Sequence, residues 1–166
     1  MGLTAYAAGW FLPFLLPACL FVAFDDMRAM KIRNLSVMYV LAVYAIIGLI
    51  AFPFEMYLWQ WLHVPIALVI GFILNIARVM GAGDAKFIAA ASPFFVFATP
   101  QDTALVMVLF VALAFAGVAT HRLAKYTFVR KMTPDWASWS QGKRYPMGLT
   151  LGGLLGGYLL LAFFAG

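Results

Sequence analysis

From Met1 to Phe24 the sequence carries no charged residue, and charge-free runs follow at 35–54, 56–77, 87–101, 103–120 and 145–166. A helix needs about 20 apolar residues to cross the roughly 30 Å hydrocarbon core of a bilayer. Six such runs in one short chain leave no room for a water-soluble domain. The pattern is not that of a transmembrane barrel either, which alternates polar and apolar side chains in ~10-residue segments. The first run has no basic residue ahead of it and too long an apolar stretch for a cleavable signal peptide. The expectation is an all-α integral membrane protein with six transmembrane helices, forming a single membrane-embedded domain over residues 1–166. Composition agrees: 10% of residues are charged, against about 25% in soluble proteins.

The basic residues give the orientation. Arg28, Lys31 and Arg33 follow the first run, and Arg78 and Lys86 separate the third from the fourth. Arg122, Lys125, Arg130, Lys131, Lys143 and Arg144 separate the fifth from the sixth. These are all 11 Lys and Arg, and they fall in alternate loops; the other loops carry Glu55 and Asp102. Lys and Arg accumulate on the cytoplasmic side, so both termini are expected outside. The net charge of +5 then reports topology, and no nucleic-acid partner is implied. Tyr57, Trp59 and Trp61 are expected in an aromatic belt at the outer interface.

The fourth segment is short. From Phe87 to Thr99 there are 13 positions, about 20 Å of helix, and Ser92-Pro93 predicts a kink. A start near Gly83 would put Asp84 on the first turn of a short helix at the membrane boundary. In the last segment Gly148, Gly152, Gly153, Gly156 and Gly157 have the small-residue spacing that lets helices approach closely.

Six acids exist. Glu55, Asp102 and Asp135 read as solvated loop or turn residues. Asp25 and Asp26 close the first helix, at the end where the helix dipole disfavours an acid. Asp84 opens the fourth, and the topology brings it to the same face and depth. Acids at membrane depth are costly and mark function by default. Two aspartates facing each other across a water can hydrolyse a peptide bond, because like charges in contact share one proton. The ionised carboxylate takes a proton from the attacking water while the protonated one donates to the developing oxyanion. His63 and His121 lie on opposite sides of the membrane, and Cys19 is the only cysteine. Neither a Ser-His pair nor a zinc site can form, and no metal or cofactor is expected. Cys19 reads as a small buried apolar residue and His63 as an interfacial one. In Gly81-Ala82-Gly83-Asp84 the glycines permit a tight backbone and let a substrate strand approach the acid.

These residues resemble the type IV prepilin peptidases, membrane aspartyl proteases of the Gly-x-Gly-Asp kind. Gly81-Ala82-Gly83-Asp84-Ala85-Lys86 is similar to the family's Gly-x-Gly-Asp-x-Lys. Asp26 through Ile32-Arg33-Asn34 is similar to its first-aspartate motif, an Asp followed at six to eight positions by Ile-Pro-Asn, with Arg33 in place of proline. Pro146-Met147-Gly148 is similar to the Pro-Tyr-Gly that opens the last helix, with Met147 for tyrosine. The resemblance implies Asp26 and Asp84 as the catalytic pair, with Asn34, Gly81, Gly83, Lys86, Pro146 and Gly148 in support. It also implies a prepilin or pseudopilin substrate, whose basic leader is cut at the cytoplasmic face of the inner membrane, just before a hydrophobic helix. Aspartates and anionic lipid headgroups are the expected attraction for that leader. Length and the lack of paired cysteines imply the short, peptidase-only form of tight-adherence pili, with no methyltransferase part. The archaeal preflagellin peptidases are close relatives. Two readings outside this class are a proton-coupled transporter using the same acids, and a non-catalytic subunit of a pilus machine in which the acids pair with Arg28 or Lys86.

Overall fold

A computed structural model describes residues 1–141 and 145–165, and among these every regular element is helical. The helices are α1 (Ala5–Ala29), α2 (Asn34–Ala51), α3 (Phe54–Trp61), α4 (His63–Ile76), α5 (Ala82–Ala91), α6 (Pro100–Ala124), α7 (Phe128–Met132) and α8 (Met147–Ala165). Five stretches are long and apolar enough to cross a membrane: α1, α2, the combined Phe54–Ile76, α6 and α8. Helices are what such a sequence must form, since in lipid every backbone N–H and C=O has to be paired within the segment.

The expected fourth helix over 87–101 is different in outline. It starts earlier, at Ala82, and ends at Ala91; a short 3₁₀ turn covers Ser92–Phe94, and 95–99 is non-helical before Pro100 opens α6. Pro93 and Pro100 account for both breaks, since neither has an N–H to continue a helix. The third span is also broken, at Leu62. Lys143 and Arg144 lie outside the described residues.

α1 and α8 form the central pair and α2 packs on the other side of α1. Close approach requires glycine at one point: a Cβ on Gly152 would meet the Cys19 carbonyl oxygen at 2.6 Å. Cys19 is buried, as expected. α5 packs against α4 and α2 and touches α8, whereas α6 packs mainly against α8. One half of the bundle is filled by aromatic rings around Tyr44, which meets Tyr57 at 5.4 Å, Trp61 at 5.1 Å and Phe94 at 5.3 Å between centroids.

That cluster corrects the aromatic belt. Trp59 faces outward, but Tyr57 is buried and Tyr44 Oη donates to its carbonyl at 2.9 Å. Asp102 is corrected too: it is buried and caps α6. Its carboxylate accepts the Thr99 N–H at 2.8 Å, the Thr99 hydroxyl at 2.9 Å and the Gly2 N–H at 2.8 Å. His63 is half-buried, with its ring 6.1 Å from Phe97.

Candidate active site

Asp26 lies on the last turn of α1 and is buried. The C-terminal end of a helix carries partial negative charge and repels an acid. The compensation comes from α8. The Gly148 N–H, in the first turn of α8, donates to Asp26 Oδ2 at 2.6 Å, so the carboxylate rests on the positive end of a second helix. Glycine is required there, because a Cβ at 148 would stand 2.7 Å from the Asp26 Cβ. α1 ends just beyond, at Met30, which is left-handed (φ 52°) and donates its N–H to the Asp26 carbonyl at 2.8 Å.

Asp84 stands in the first turn of α5, outside the five long spans. It accepts the Gly81 N–H at 3.2 Å, the reciprocal half of an N-terminal cap. A Cβ at Gly81 would meet Asp84 Oδ2 at 2.7 Å, and one at Gly83 would meet the Ile32 carbonyl at 3.3 Å. The two glycines thus do separate jobs. Gly81 leaves room for the carboxylate, and Gly83 lets α5 press on the segment that leads into α2. Burial pushes the Asp84 carboxyl up to about 6, with the nearby Asp26 charge as the second cause and the Gly81 N–H acting in the opposite direction.

Both aspartates line one cavity of about 690 Å³ at one end of the bundle. Its walls come from the end of α1, the 78–81 loop, the first turn of α5 and the entry to α8, with Asn75, Arg78, Gln141 and Tyr145 adding polar groups. Asn75 Nδ2 donates to the Met80 carbonyl at 2.9 Å and fixes the loop. Arg78 is left-handed (φ 59°) and ends α4, with the Val79 N–H bonded to the Leu74 carbonyl at 3.0 Å, a Schellman-type stop.

The remaining motif residues meet as well. Lys86 Nζ donates to Asn34 Oδ1 at 3.2 Å, joining α5 to the start of α2. Arg33 pairs with the buried Asp25, with Nε 2.9 Å from Oδ2. This is an ion pair by distance; the angle does not make it a hydrogen bond, and Oδ2 has no other partner. Pro146 directly precedes α8, and its carbonyl accepts the Leu149 N–H at 3.3 Å. Among the described residues no three His, Cys, Asp or Glu side chains come together as a metal site.

Residues 13–121 match the profile of the type IV leader peptidase family. The chain belongs to that family. No curated protein and no solved structure matches it. Membership makes it a peptidase-type protein, and its apolar helices make it a multi-pass membrane protein. The matched leader-peptidase stretch contains Asp25, Asp26, Asn34 and Gly81–Lys86 and stops short of Pro146 and Gly148. The segment with the nearest contact to Asp26 is therefore outside it.

Sequence reasoning missed Asn75, Arg78, Gln141 and Tyr145. Only Tyr145 had a local signal, adjacency to Pro146. Its hydroxyl is held by Thr150 Oγ1 at 2.6 Å, which turns the ring along the cavity wall.

Proposed function

We propose that this leader-peptidase family member is an aspartyl endopeptidase that removes the basic leader of a prepilin at the cytoplasmic face of the inner membrane. The observation that carries the reading is the pairing of Asp26 and Asp84 on one cavity, each seated at the N-terminal end of a helix. Two carboxyls on one cavity disfavour double ionisation, and the Asp26 charge is one cause of the raised Asp84 carboxyl. Asp84, raised to about 6, is assigned the acid role. Asp26 takes a proton from a water as that water attacks the scissile carbonyl, and Asp84 gives its proton to the carbonyl oxygen. The tetrahedral diol then collapses: the C–N bond breaks, the proton on Asp26 passes to the leaving amine, and one diol hydroxyl returns its proton to Asp84 as the new carboxyl forms. Asn34 and Lys86 hold α2 and α5 in register so that neither acid drifts.

Co-expression with an epitope-tagged prepilin tests this through a mobility shift. Asp26→Asn and Asp84→Asn should each abolish cleavage at matched membrane abundance, because an amide neither accepts the water's proton nor shares one. Asp25→Asn should stay active with a shifted pH profile, since its neighbour's environment loses a charge. Cleavage should persist in strong chelator. Full activity in Asp84→Asn would remove the pair from the mechanism, and full activity in Asp26→Asn with none in Asp25→Asn would move the catalytic position by one residue.

A further inference from the structure

A second cavity, of about 270 Å³, is framed by α4, α5, α6 and α8 and is lined almost wholly by apolar side chains. Ile66 and Ile70 form one wall, Phe87 and Ala91 part of the floor, and Val106 and Leu154 the other side. It exists because α6 leans on α8 and makes no comparable contact with α4 or α5. The two spanning walls stand apart over the short α5, and the gap opens sideways, where Ile66 and Ile70 are more than half exposed.

The two cavities lie end to end on the same three helices. The aspartate cavity reaches Asn75, Asp84 and Met147, and the apolar one begins at Ile70, Phe87 and Leu151. The separation is about one helical turn, roughly 5 Å. A path along α5 therefore passes from two carboxyls straight into a dry, lipid-accessible slot.

We propose that this slot receives the first turns of the hydrophobic helix that follows the scissile bond of the substrate. The inference rests on the peptidase reading above and says how the bond is presented. The order of polarity selects the occupant. A chain cut just ahead of a hydrophobic helix places a peptide bond between the aspartates and apolar side chains directly after it, in the sequence the two cavities demand. An acyl chain of a lipid fits the slot but has nothing to place between the carboxyls. The register follows from α5. Phe87 and Ala91 lie 3 and 7 positions beyond Asp84, about 4–11 Å along the axis. Substrate residues about 3 to 7 positions after the scissile bond occupy the slot.

Cross-linking tests the proposal. In the full-length chain carrying Cys19→Ala and Asp84→Asn, single cysteines replace Ile66, Val106 or, on the outer face of α2, Met38. Each is co-expressed with a prepilin bearing one cysteine at position 4 or 7 after its scissile bond and then oxidised. Ile66→Cys and Val106→Cys should yield the cross-linked species and Met38→Cys none. Equal yield at Met38, or no product at both groove positions, overturns the slot. A kinetic arm uses active enzyme: Ala67→Phe, which fills the slot from α4, should raise KM about tenfold, the worth of one displaced apolar side chain, with kcat retained. An unchanged KM also overturns the slot. A wild-type chain that leaves the prepilin uncut overturns the peptidase reading itself, and that result is distinct from a cleaved prepilin with no cross-link.

Discussion

Asp26 is an acid at the wrong end of its own helix, made tenable by a helix that begins 121 residues later. The Gly148 N–H supplies both a charge-assisted hydrogen bond and the favourable end of a dipole. The geometry leaves no slack, with a Cβ at 148 placed 2.7 Å from the Asp26 Cβ. Gly148→Ala should therefore displace the carboxyl, and displacement of about 1 Å costs on the order of 100-fold in rate. Gly153→Ala is the control on the same helix, since its Cβ would make ordinary contact with Leu113 at 3.6 Å. Prepilin cleavage rates of the two variants, at equal abundance and equal thermal midpoint in detergent, check the expectation. Equal rates would mean that Gly148 does not position Asp26. The same scale explains Arg33. It stands where the resembling family has proline, and its guanidinium lies beside Asp25, so that only one of two adjacent buried acids lacks a cation.

At the scale of elements, the weak point is 95–99, a backbone without helix beside α5. Non-helical backbone among membrane helices survives only where protein groups pair its N–H and C=O. Three side chains do so here, one of them Asp102, which accepts the Thr99 N–H at 2.8 Å. Gln60 Nε2 donates to the Phe95 carbonyl at 3.3 Å and the Tyr158 hydroxyl accepts the Val96 N–H at 3.2 Å. Gln60 is buried, so Gln60→Leu should leave that carbonyl unpaired, at a cost of about 1–3 kcal/mol. A lowered thermal midpoint in detergent with the leader cut at its usual bond is the expected result, and an unchanged midpoint would count against the pairing. The elements were legible to different degrees for physical reasons. The long spans follow from uninterrupted apolar runs, and the shortness of α5 from Pro93 and Pro100. Asp84 and Asp26 stood out because charge at a membrane boundary is rare, and Asn34 and Lys86 through the resemblance. Gln60, Asp102, Tyr145 and the Arg33–Asp25 pair did not stand out. Their roles depend on partners distant in the chain or in another helix, and no local periodicity encodes such contacts. The belt assigned to Tyr57 and Trp61 failed for a related reason: the same aromatic residues serve an interface or a core, and only the packing around Tyr44 decides.

For the whole molecule the decisive question is how many times the chain crosses. Five stretches are long and apolar enough, and an odd number would place the termini on opposite sides. The stretch from Phe87 to Thr99 supplies the sixth crossing in our reading. Five helical residues to Ala91, a 3₁₀ turn and five non-helical residues reach about 30 Å at ordinary rises per residue, the thickness of the hydrocarbon core. With six crossings, Arg33, Lys86 and Tyr126 share one face, and Glu55 and Asp102 share the other. The basic loops then lie on the cytoplasmic side, as does the cavity that holds Asp26 and Asp84. Reporter fusions after Arg33, Lys86 and Tyr126 should read cytoplasmic, and fusions after Glu55 and Asp102 external. The informative pair is Lys86 with Asp102, which flank the disputed stretch. Opposite readings there require a crossing by a segment that is only half helix, which explains why its free backbone is bonded by α3 and α8. Like readings at these two positions would remove the sixth crossing and put the C-terminus on the cytoplasmic side. α6 and α8 would then be inverted relative to α1, which the packing of Gly148 against Asp26 does not allow. Either the topology or the α1–α8 contact would then have to be abandoned, and a cysteine pair of Cys19 with Gly156→Cys, whose Cβ would stand 3.7 Å from the Cys19 Cβ, within disulfide reach, tested for oxidation in membranes, says which.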